Sequence, residues 1–507
     1  MEEPINAIYD QTHSQLLSLL SKATSNILPT SDNIERAVSS LTPHLRKDGL
    51  GTRRTIEHLM DDIIPALNAS SLSSNYYGFV TGGSTPAACI ADQIVSVCDQ
   101  NVQVHLPKET VATVVEDRAL ILLLELLELD ATKWTGRTFT TGATASNVLG
   151  LACARDQVVQ NALKRRGASS TDVASSGLIA ACLEAGVGKI QILTAMPHSS
   201  LAKASSIVGL GRTAIEVLPL SDDQPWKLDL QKLEEKLRAS GTASIVVISC
   251  GEVNTGQFST ESFEEFQHIR TLCDMYDAWI HVDGAFGLFG RILEVNGEFR
   301  DISGGCGGIE LADSITGDAH KLLNVPYDCG FFFCRWPNVT QQVFRNSNAA
   351  YLTSDTTVDL NSVQSPLNIG IENSRRFRAL PVYATLTAYG RAFYQTTLAQ
   401  QIQFARAAAS YILSHPDFEL LPQYPKLDED KIRHTYIIVL FRAKDNALNR
   451  KLVRMINATG KIYVSGTTWA GNPASRIAVS NWRVDKKRDL SIVSGVLEEV
   501  IEQWRDA

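Results

Sequence analysis

Ala312-Asp-Ser-Ile-Thr-Gly-Asp-Ala-His-Lys321 decides how this chain is read. The stretch begins like a buried strand, breaks at Gly317, and then presents Asp318, His320 and Lys321 in close succession. A lysine at such a strand-to-loop corner is a candidate for the amine that forms a Schiff base, provided it is partly desolvated. A surface lysine in a loop is the plainer alternative. Upstream, Ala278-Trp-Ile-His-Val-Asp-Gly-Ala-Phe-Gly287 carries an apolar strand to Asp283 and then to small residues. An acid at the C-terminal end of a buried parallel strand stands in the usual ligand crevice of an open α/β sheet. A carboxylate placed there can keep the ring nitrogen of a pyridine cofactor protonated and so make the ring an electron sink. A helix N-cap aspartate is the plainer alternative; Asp283 and Lys321 together favour the cofactor.

Around these two stretches the pattern is strand and helix in alternation. Strands are expected from Thr138, over Ile190-Gln-Ile-Leu-Thr194, Ala214-Ile-Glu-Val-Leu-Pro219 and Ser244-Ile-Val-Val-Ile-Ser249, at 278–282, ahead of Lys321, and over Gly330-Phe-Phe-Phe-Cys334. That is about seven strands with intervening helices, an α/β fold with a largely parallel sheet. The last strand follows its predecessor without a helix, so an antiparallel member is expected. Residues 1–75 read as an amphipathic helical arm broken at 26–31, and 76–385 as the large α/β domain. Residues 386–507 read as a small α+β domain with strands at 435–441, 462–464 and 476–480 and a last helix over 489–504. The arm's apolar face suits a partner subunit; packing on its own large domain is the alternative. Arg375 and Arg376, at the start of an expected helix, could pair with acids across a dimer or with substrate, the structural role being favoured, and 428–431 reads as a solvated turn.

Several segments of this frame carry candidate site residues. Thr138-Phe-Thr-Thr-Gly-Ala-Thr-Ala-Ser-Asn147 is a strand, a glycine turn and the start of a helix running to about Arg165. The free first-turn N–H groups at the positive end of such a helix suit a phosphate, with Ala143 and Thr144 closest and the Thr144 and Ser146 hydroxyls nearby. An ordinary Ser/Thr cap is the alternative. His198 lies just past the 190–194 strand, where an imidazole can stack on a cofactor ring and hydrogen-bond a carboxylate; a structural histidine is the alternative. Asn254, in the turn after Ser249, is placed to bond the cofactor's phenolic oxygen. Asn75-Tyr-Tyr-Gly-Phe-Val-Thr-Gly-Gly-Ser-Thr-Pro86 is a loop of the kind that faces ligands, with Tyr77 and Phe79 as pocket candidates. His105 is a further pocket candidate. Tyr76, Tyr77, Phe79, Phe286 and Trp469 hint at an apolar or aromatic substrate side chain, although each also suits a core. The polar stretch 346–370 is long enough for a functional loop.

Composition bounds the rest. The chain has 507 residues, 44% hydrophobic and 20% charged, with a formal charge of −8, ordinary for a globular enzyme of more than one domain. No basic run has the size of a nucleic-acid footprint. Its nine cysteines lack metal-ligand or disulfide spacing, so no metal and a reducing, cytoplasmic setting are expected. No leader is visible at the N-terminus, and the most apolar segment, 119–129, contains two glutamates and reads as a core helix, not a membrane span.

His281-Val-Asp-Gly-Ala followed by Asp318-Ala-His-Lys321 resembles the signature of the pyridoxal-phosphate-dependent group II amino-acid decarboxylases, and the resemblance runs in order over residues 75–483. It implies the fold type I of aspartate aminotransferase and a homodimer with active sites at the subunit interface. It implies pyridoxal 5'-phosphate bound by Lys321, Asp283, His198, Ala143, Thr144, Asn254, Asp318, His320 and Thr81, and a small-molecule amino acid as substrate. His198 is the stacking residue of this pattern, and Thr81 lies where the family has a hydroxyl near the cofactor and the substrate carboxyl. Tyr77, Phe79, Thr81, His105 and Tyr351 would line the substrate pocket. Tyr351 matches the loop tyrosine that returns a proton to the α-carbon after CO2 leaves; phenylalanine there would imply oxidative deamination. The expected reaction is decarboxylation of an L-amino acid. Aldehyde formation, aldol or other carbon–carbon cleavage on the same scaffold is the alternative, and a catalytically silent homologue is the alternative of another class. Leu322 and Gly284 depart from the common tryptophan and alanine.

Overall fold

The computed structural model describes residues 5–21, 26–168, 171–346 and 363–507. A short strand β1 (Tyr76–Tyr77) precedes the seven strands of the main sheet. These are β2 (Gly136–Thr140), β3 (Lys189–Thr194), β4 (Ile215–Val217), β5 (Thr242–Ser249), β6 (Trp279–Asp283), β7 (Ser314–Asp318) and β8 (Gly330–Cys334). Their spatial order is β2-β8-β7-β6-β5-β3-β4. β8 pairs antiparallel with both β2 and β7, while the pairs from β7 through β6, β5 and β3 to β4 are parallel. The all-strand count and the antiparallel last member agree with the sequence pattern. Between β7 and β8 stands only the one-turn helix Ala319–Leu322, too short for a parallel crossover, so the chain returns antiparallel and β8 fills the gap between β7 and β2.

The strands are apolar on both sides because both sheet faces are covered. Val246 and Ile248 of β5 enter one cluster with Leu193, Ile280, Val282, Phe331 and Phe333. Ile245 and Val247 point the other way, to Ile192, Trp279 and Phe332. The helix Ala143–Arg165 lies on the second face. It comes so close that a Cβ at Gly150 would sit 2.3 Å from His281 Cε1, so only glycine lets the helix seat there.

The second sheet has the order β1-β11-β12-β10-β9, with β9 (Phe418–Leu421), β10 (Ile438–Ala443), β11 (Tyr463–Trp469) and β12 (Asn472–Ala478). The strand Phe418–Leu421 is not among the strands expected from the sequence, being four residues long and close behind the helix that ends at Ser414. Tyr76–Tyr77 joins this smaller sheet by parallel pairing with β11 rather than the large one. The helix Ala379–Ser414 links the two sheets and the helix Lys486–Arg505 packs against it. Two local expectations are corrected. Residues Asp428–His434 form a helix rather than a turn, with acids in its first turn and bases in its last, as the helix dipole favours. Arg375 and Arg376 precede the helix that starts at Ala379. Arg375 is buried and bonds Glu116 at 2.9 Å and the carbonyls of Val102 and Phe139, whereas Arg376 meets Asp92 at the surface. No helix among the described residues is long and apolar enough to cross a membrane.

Candidate active site

Parallel pairing brings the C-terminal ends of neighbouring strands to one edge. Ser249 of β5 is in register with Asp283 of β6, and Asp283 with Thr316 of β7. β3 ends on the same edge, and the chain leaving it delivers His198 as the N-cap of the helix Ser199–Ile207. β2 ends there too, in the turn that opens the Ala143–Arg165 helix. Between these ends lies a cavity of about 370 Å³ whose wall includes Thr144, His198, Asp283, Asp318, His320 and Lys321.

Lys321 is half-buried. Its Nζ lies 3.0 Å from Asp318 Oδ2 and 5.6 Å from the centre of the buried Phe286 ring. Asp318 is nearly fully buried and also accepts the Ala143 N–H at 2.6 Å. His320 holds it from a third side: Nδ1 accepts the Cys329 N–H at 3.2 Å, Nε2 stands 3.5 Å from Asp318 Oδ1, and the ring packs on Tyr327. Burial lowers the His320 pKa below the ordinary imidazole value, and with Nδ1 accepting from Cys329 the ring turns Nε2 toward Asp318. Asp283 accepts from Asn147 Nδ2 at 3.0 Å and leaves its other oxygen, long at 3.4 Å from the Ala285 N–H, beside the cavity. His198 is open to water through the cavity mouth, yet the surrounding walls restrict its hydration. That desolvation lowers its pKa, against the opposing charge of Asp283.

At the start of the helix Ala143–Arg165 the first-turn N–H groups have no intrahelical acceptor. Asp318 takes that of Ala143, which leaves Thr144 and Ala145 as the cavity-lining donors. Ala143 and Thr144, the expected pair, both line the cavity, and Ala145 joins them. The Ser146 hydroxyl is also withdrawn: it is fully buried and bonds Thr140 Oγ1 at 2.7 Å. The turn lies flat on β8, where a Cβ at residue 330 would come within 2.5 Å of Gly142 Cα, so Gly330 is what admits the cradle.

A model of the pyridoxal-dependent decarboxylase conserved domain matches residues 54–429. The chain belongs to this family. Among curated relatives it is similar to the L-aspartate decarboxylase dtxS4 of Metarhizium robertsii, 27% identical over 75% of this chain and 68% of that protein. It is also similar to the L-2,4-diaminobutyrate decarboxylase of Acinetobacter baumannii, 26% identical over 66% of this chain and 62% of that one. Of solved structures, the Catharanthus roseus tryptophan decarboxylase in complex with L-tryptophan superposes with a TM-score of 0.79 at 18% identity, covering 99% of both chains. The Rhodiola rosea 4-hydroxyphenylacetaldehyde synthase does so with 0.76 at 18% identity, covering 98% and 97%. These two likenesses show the fold.

As a pyridoxal-dependent decarboxylase the chain is a pyridoxal-phosphate enzyme of the carboxy-lyase class, acting on an amino acid. The cavity fits that cofactor on its own chemistry. It offers one lysine amine for the aldehyde, one carboxylate with an open oxygen for the ring nitrogen, and two unpaired helix N–H groups for the phosphate. The structure brings Lys321, Asp318, His320, Asp283, His198, Ala143 and Thr144 together at the cavity.

Other expected residues lie elsewhere in this chain. Asn254 turns its side chain away to accept from Thr467 Oγ1 at 2.8 Å, and Gly251, Glu252 and Val253 form that wall instead. Thr81 is buried in a second row, donating to Gly78 O at 3.1 Å. Tyr77 is fully buried against Phe404 and is a core residue, not a pocket one. Phe79 is 65% exposed, at a positive φ of 57°, outside the cavity. His105 bonds Thr113 at 2.8 Å, also off the cavity. Tyr76 stacks on Tyr463 and Trp469 tilts against Trp226, so of the five aromatic hints Phe286 alone lines the cavity. Tyr351 and most of the 346–370 loop lie outside the described residues. Gly284 has a steric reason: a Cβ there would stand 2.9 Å from Leu288 Cβ.

Four residues at or behind this wall were not read from the sequence. Asn147 and Ser200 are buried and bonded to Asp283 and His198. Glu252 is buried, its pKa raised by desolvation, and accepts the N–H groups of Asn254 and Thr255. Arg476 is buried on β12, donates to Val253 O and Phe79 O at 2.6 Å each, and has an Nη2 without a partner. A buried arginine in a strand is a legible signal, since such a charge needs partners. The small polar residues carry none until the strand order is known.

Proposed function

We propose that this protein removes the α-carboxyl group of an L-amino acid as CO2, with Lys321, Asp283 and His198 as the residues around pyridoxal phosphate. The observation that carries the reading is the convergence of Lys321 and Asp283 from neighbouring strand ends onto one cavity with the Thr144 and Ala145 N–H groups. The bound cofactor supplies an electron sink for the pair released when the Cα–carboxylate bond breaks. Asp283 holds the proton on the ring nitrogen and so stabilises charge as it develops. Thr144 and Ala145 anchor the phosphate. Lys321, which Asp318 keeps in place, would hold the cofactor by its aldehyde. His198 covers the ring and donates to the substrate carboxylate. Tyr351 returns the proton to Cα. The protein works as a cytoplasmic homodimer in this reading. Exposed apolar side chains of the arm and the following helices, among them Leu17, Val38, Ile90 and Val97, support a covering partner.

The relatives named above act on aspartate, diaminobutyrate and tryptophan, so substrate choice rests on the cavity. An apolar or aromatic side chain would meet Phe286. The test is a screen of purified protein with the common L-amino acids plus dihydroxyphenylalanine and diaminobutyrate, following CO2, amine, aldehyde and hydrogen peroxide beside Lys321→Ala. Amine with stoichiometric CO2, lost in the variant, is expected. Aldehyde with peroxide would overturn the role of Tyr351.

A further inference from the structure

A chain of short hydrogen bonds runs behind the cavity, from the buried end of β6 to His198, and its donors can be assigned one by one. It starts at the Trp279 indole N–H, which only donates, and which meets Ser314 Oγ at 2.9 Å. Ser314, having accepted, sends its own proton to His281 Nδ1 at 2.7 Å. His281 is fully buried and its pKa is pushed down to about 4 by desolvation, so it is neutral and keeps its proton on Nε2. That proton faces Asn147 Oδ1 at 2.9 Å, with Thr316 Oγ1 a longer neighbour at 3.3 Å. The Asn147 amide is thereby oriented, its Nδ2 hydrogens going to Asp283 Oδ2 at 3.0 Å and Ser200 Oγ at 3.2 Å.

The opposite end gives the same answer independently. A carboxylate only accepts, so the group facing Asp283 is the amide nitrogen. Ser200 Oγ, having accepted from Asn147, donates to His198 Nδ1 at 2.7 Å, and the Ser200 backbone N–H reaches the same nitrogen at 3.2 Å. His198 Nδ1 thus receives two donors and has no room for a proton of its own.

We propose that Asn147 and Ser200 are positioning residues that fix His198 as its Nε2–H tautomer, a hydrogen-bond donor and never a base toward the cavity. The proposal rests on the reading that His198 serves the cofactor and substrate. It adds which nitrogen acts, in which direction, and what enforces it. Protonating Nδ1 would set its N–H against the fixed Ser200 backbone N–H and force the Ser200 hydroxyl to turn its own hydrogen away and accept from both Asn147 and His198, leaving two donors without acceptors. The charged groups that act on His198 are Asp283 and Asp318, which favour its cation, and Lys321 and Arg476, which oppose it.

The test is solid-state 15N NMR of holoenzyme labelled at the imidazole nitrogens of its ten histidines, with His198→Gln assigning the signal. Wild type is expected to show a single neutral Nε2–H population for His198 at pH 7. Ser200→Ala and Asn147→Leu are expected to lose that single population and to titrate at higher pH, while Ser200→Thr keeps both features. A wild-type Nδ1–H signal, or a tautomer unchanged in both Ser200→Ala and Asn147→Leu, overturns the proposal. Should Asn147→Leu fail to fold, the Ser200→Ala and Ser200→Thr pair decides alone. The tautomer is read whether or not any amino acid is turned over, so its failure is distinct from failure of the decarboxylase reading.

Discussion

His281 makes a pH-dependent contribution to stability whose sign and size follow from its burial. The ring is fully enclosed, touching the helix at Gly150 and bonded to Ser314 and Asn147. Desolvation lowers its pKa from 6.5 to about 4. The unfolded chain therefore binds a proton on this ring that the folded one refuses between those two values. Unfolding is favoured as pH falls through that window, and the contribution is fully present above about pH 6.5. Over the interval from pH 7 to pH 5 the loss comes to about 2 kcal/mol, at 1.36 kcal/mol for each pH unit once the unfolded form is protonated. The assay is equilibrium urea unfolding at fixed protein concentration, at pH 7, 6 and 5, for wild type and for His281→Asn. Other groups titrate in both proteins, so the difference in their pH slopes isolates His281 whatever the variant costs at pH 7. Wild type should lose about 2 kcal/mol more than the variant across the interval. Parallel slopes would refute the reasoning, since they would mean the buried ring takes up its proton without unfolding.

Gly150→Ala places a Cβ against the His281 ring inside a packed core, and is expected to destabilise by about 1–3 kcal/mol despite alanine's better helix propensity; a raised thermal midpoint would contradict it. Glu116→Ala strands the buried Arg375 guanidinium, which keeps only carbonyl and hydroxyl partners, and is expected to cost about 3 kcal/mol in urea unfolding. Lys321→Ala is expected to abolish both turnover and the absorbance of covalently held cofactor while leaving thermal stability of the cofactor-free protein within about 1 kcal/mol, since among the described residues the half-buried lysine has Asp318 as its single ion-pair partner.

Much of the fold was legible because both signals that define it are local. Apolar runs such as 244–249 and 330–334 mark strands buried on two faces, and helical patterns between them force parallel neighbours. The edge of the sheet that holds the chemistry follows from the same rule, which is why Asp283, His198 and Lys321 could be read together. What was not legible depends on the direction of a side chain at a given turn. Asn254 sits in the expected loop but one residue past the wall, because Glu252 captures the turn's N–H groups and rotates it toward Thr467. Tyr77 alternates into the core because β1 pairs with the small sheet, a pairing across nearly four hundred residues that no local pattern announces. Asn147 and Ser200 are unremarkable as letters and gain their meaning from β6 lying between β5 and β7.

Asp283 and Asp318 look alike in sequence, each an acid at the end of a strand before small residues, yet their partners give them opposite work. Asp283 is bonded by the neutral amide of Asn147 and keeps an oxygen beside the cavity. Asp318 spends its oxygens on the Ala143 N–H, His320 and the Lys321 amine. The first is free to act on a ring nitrogen; the second restrains the lysine, and that contact has to break before Lys321 bonds an aldehyde. The two amide variants should then separate. Asp318→Asn still accepts from Ala143 but offers Lys321 no charge, so covalent capture of added pyridoxal phosphate by the cofactor-free protein should speed up by about 10-fold or more, a charged hydrogen bond being worth roughly 1.5–3 kcal/mol. Asp283→Asn leaves that restraint intact, so capture should proceed at the wild-type rate while kcat falls by about 10²-fold or more, as when a preorganised charge partner is removed. Stopped-flow absorbance and steady-state turnover measure the two quantities on the same samples. Slower capture in Asp318→Asn would mean that the acid assists the lysine rather than restraining it, and the division of labour between the two strand ends would be wrong.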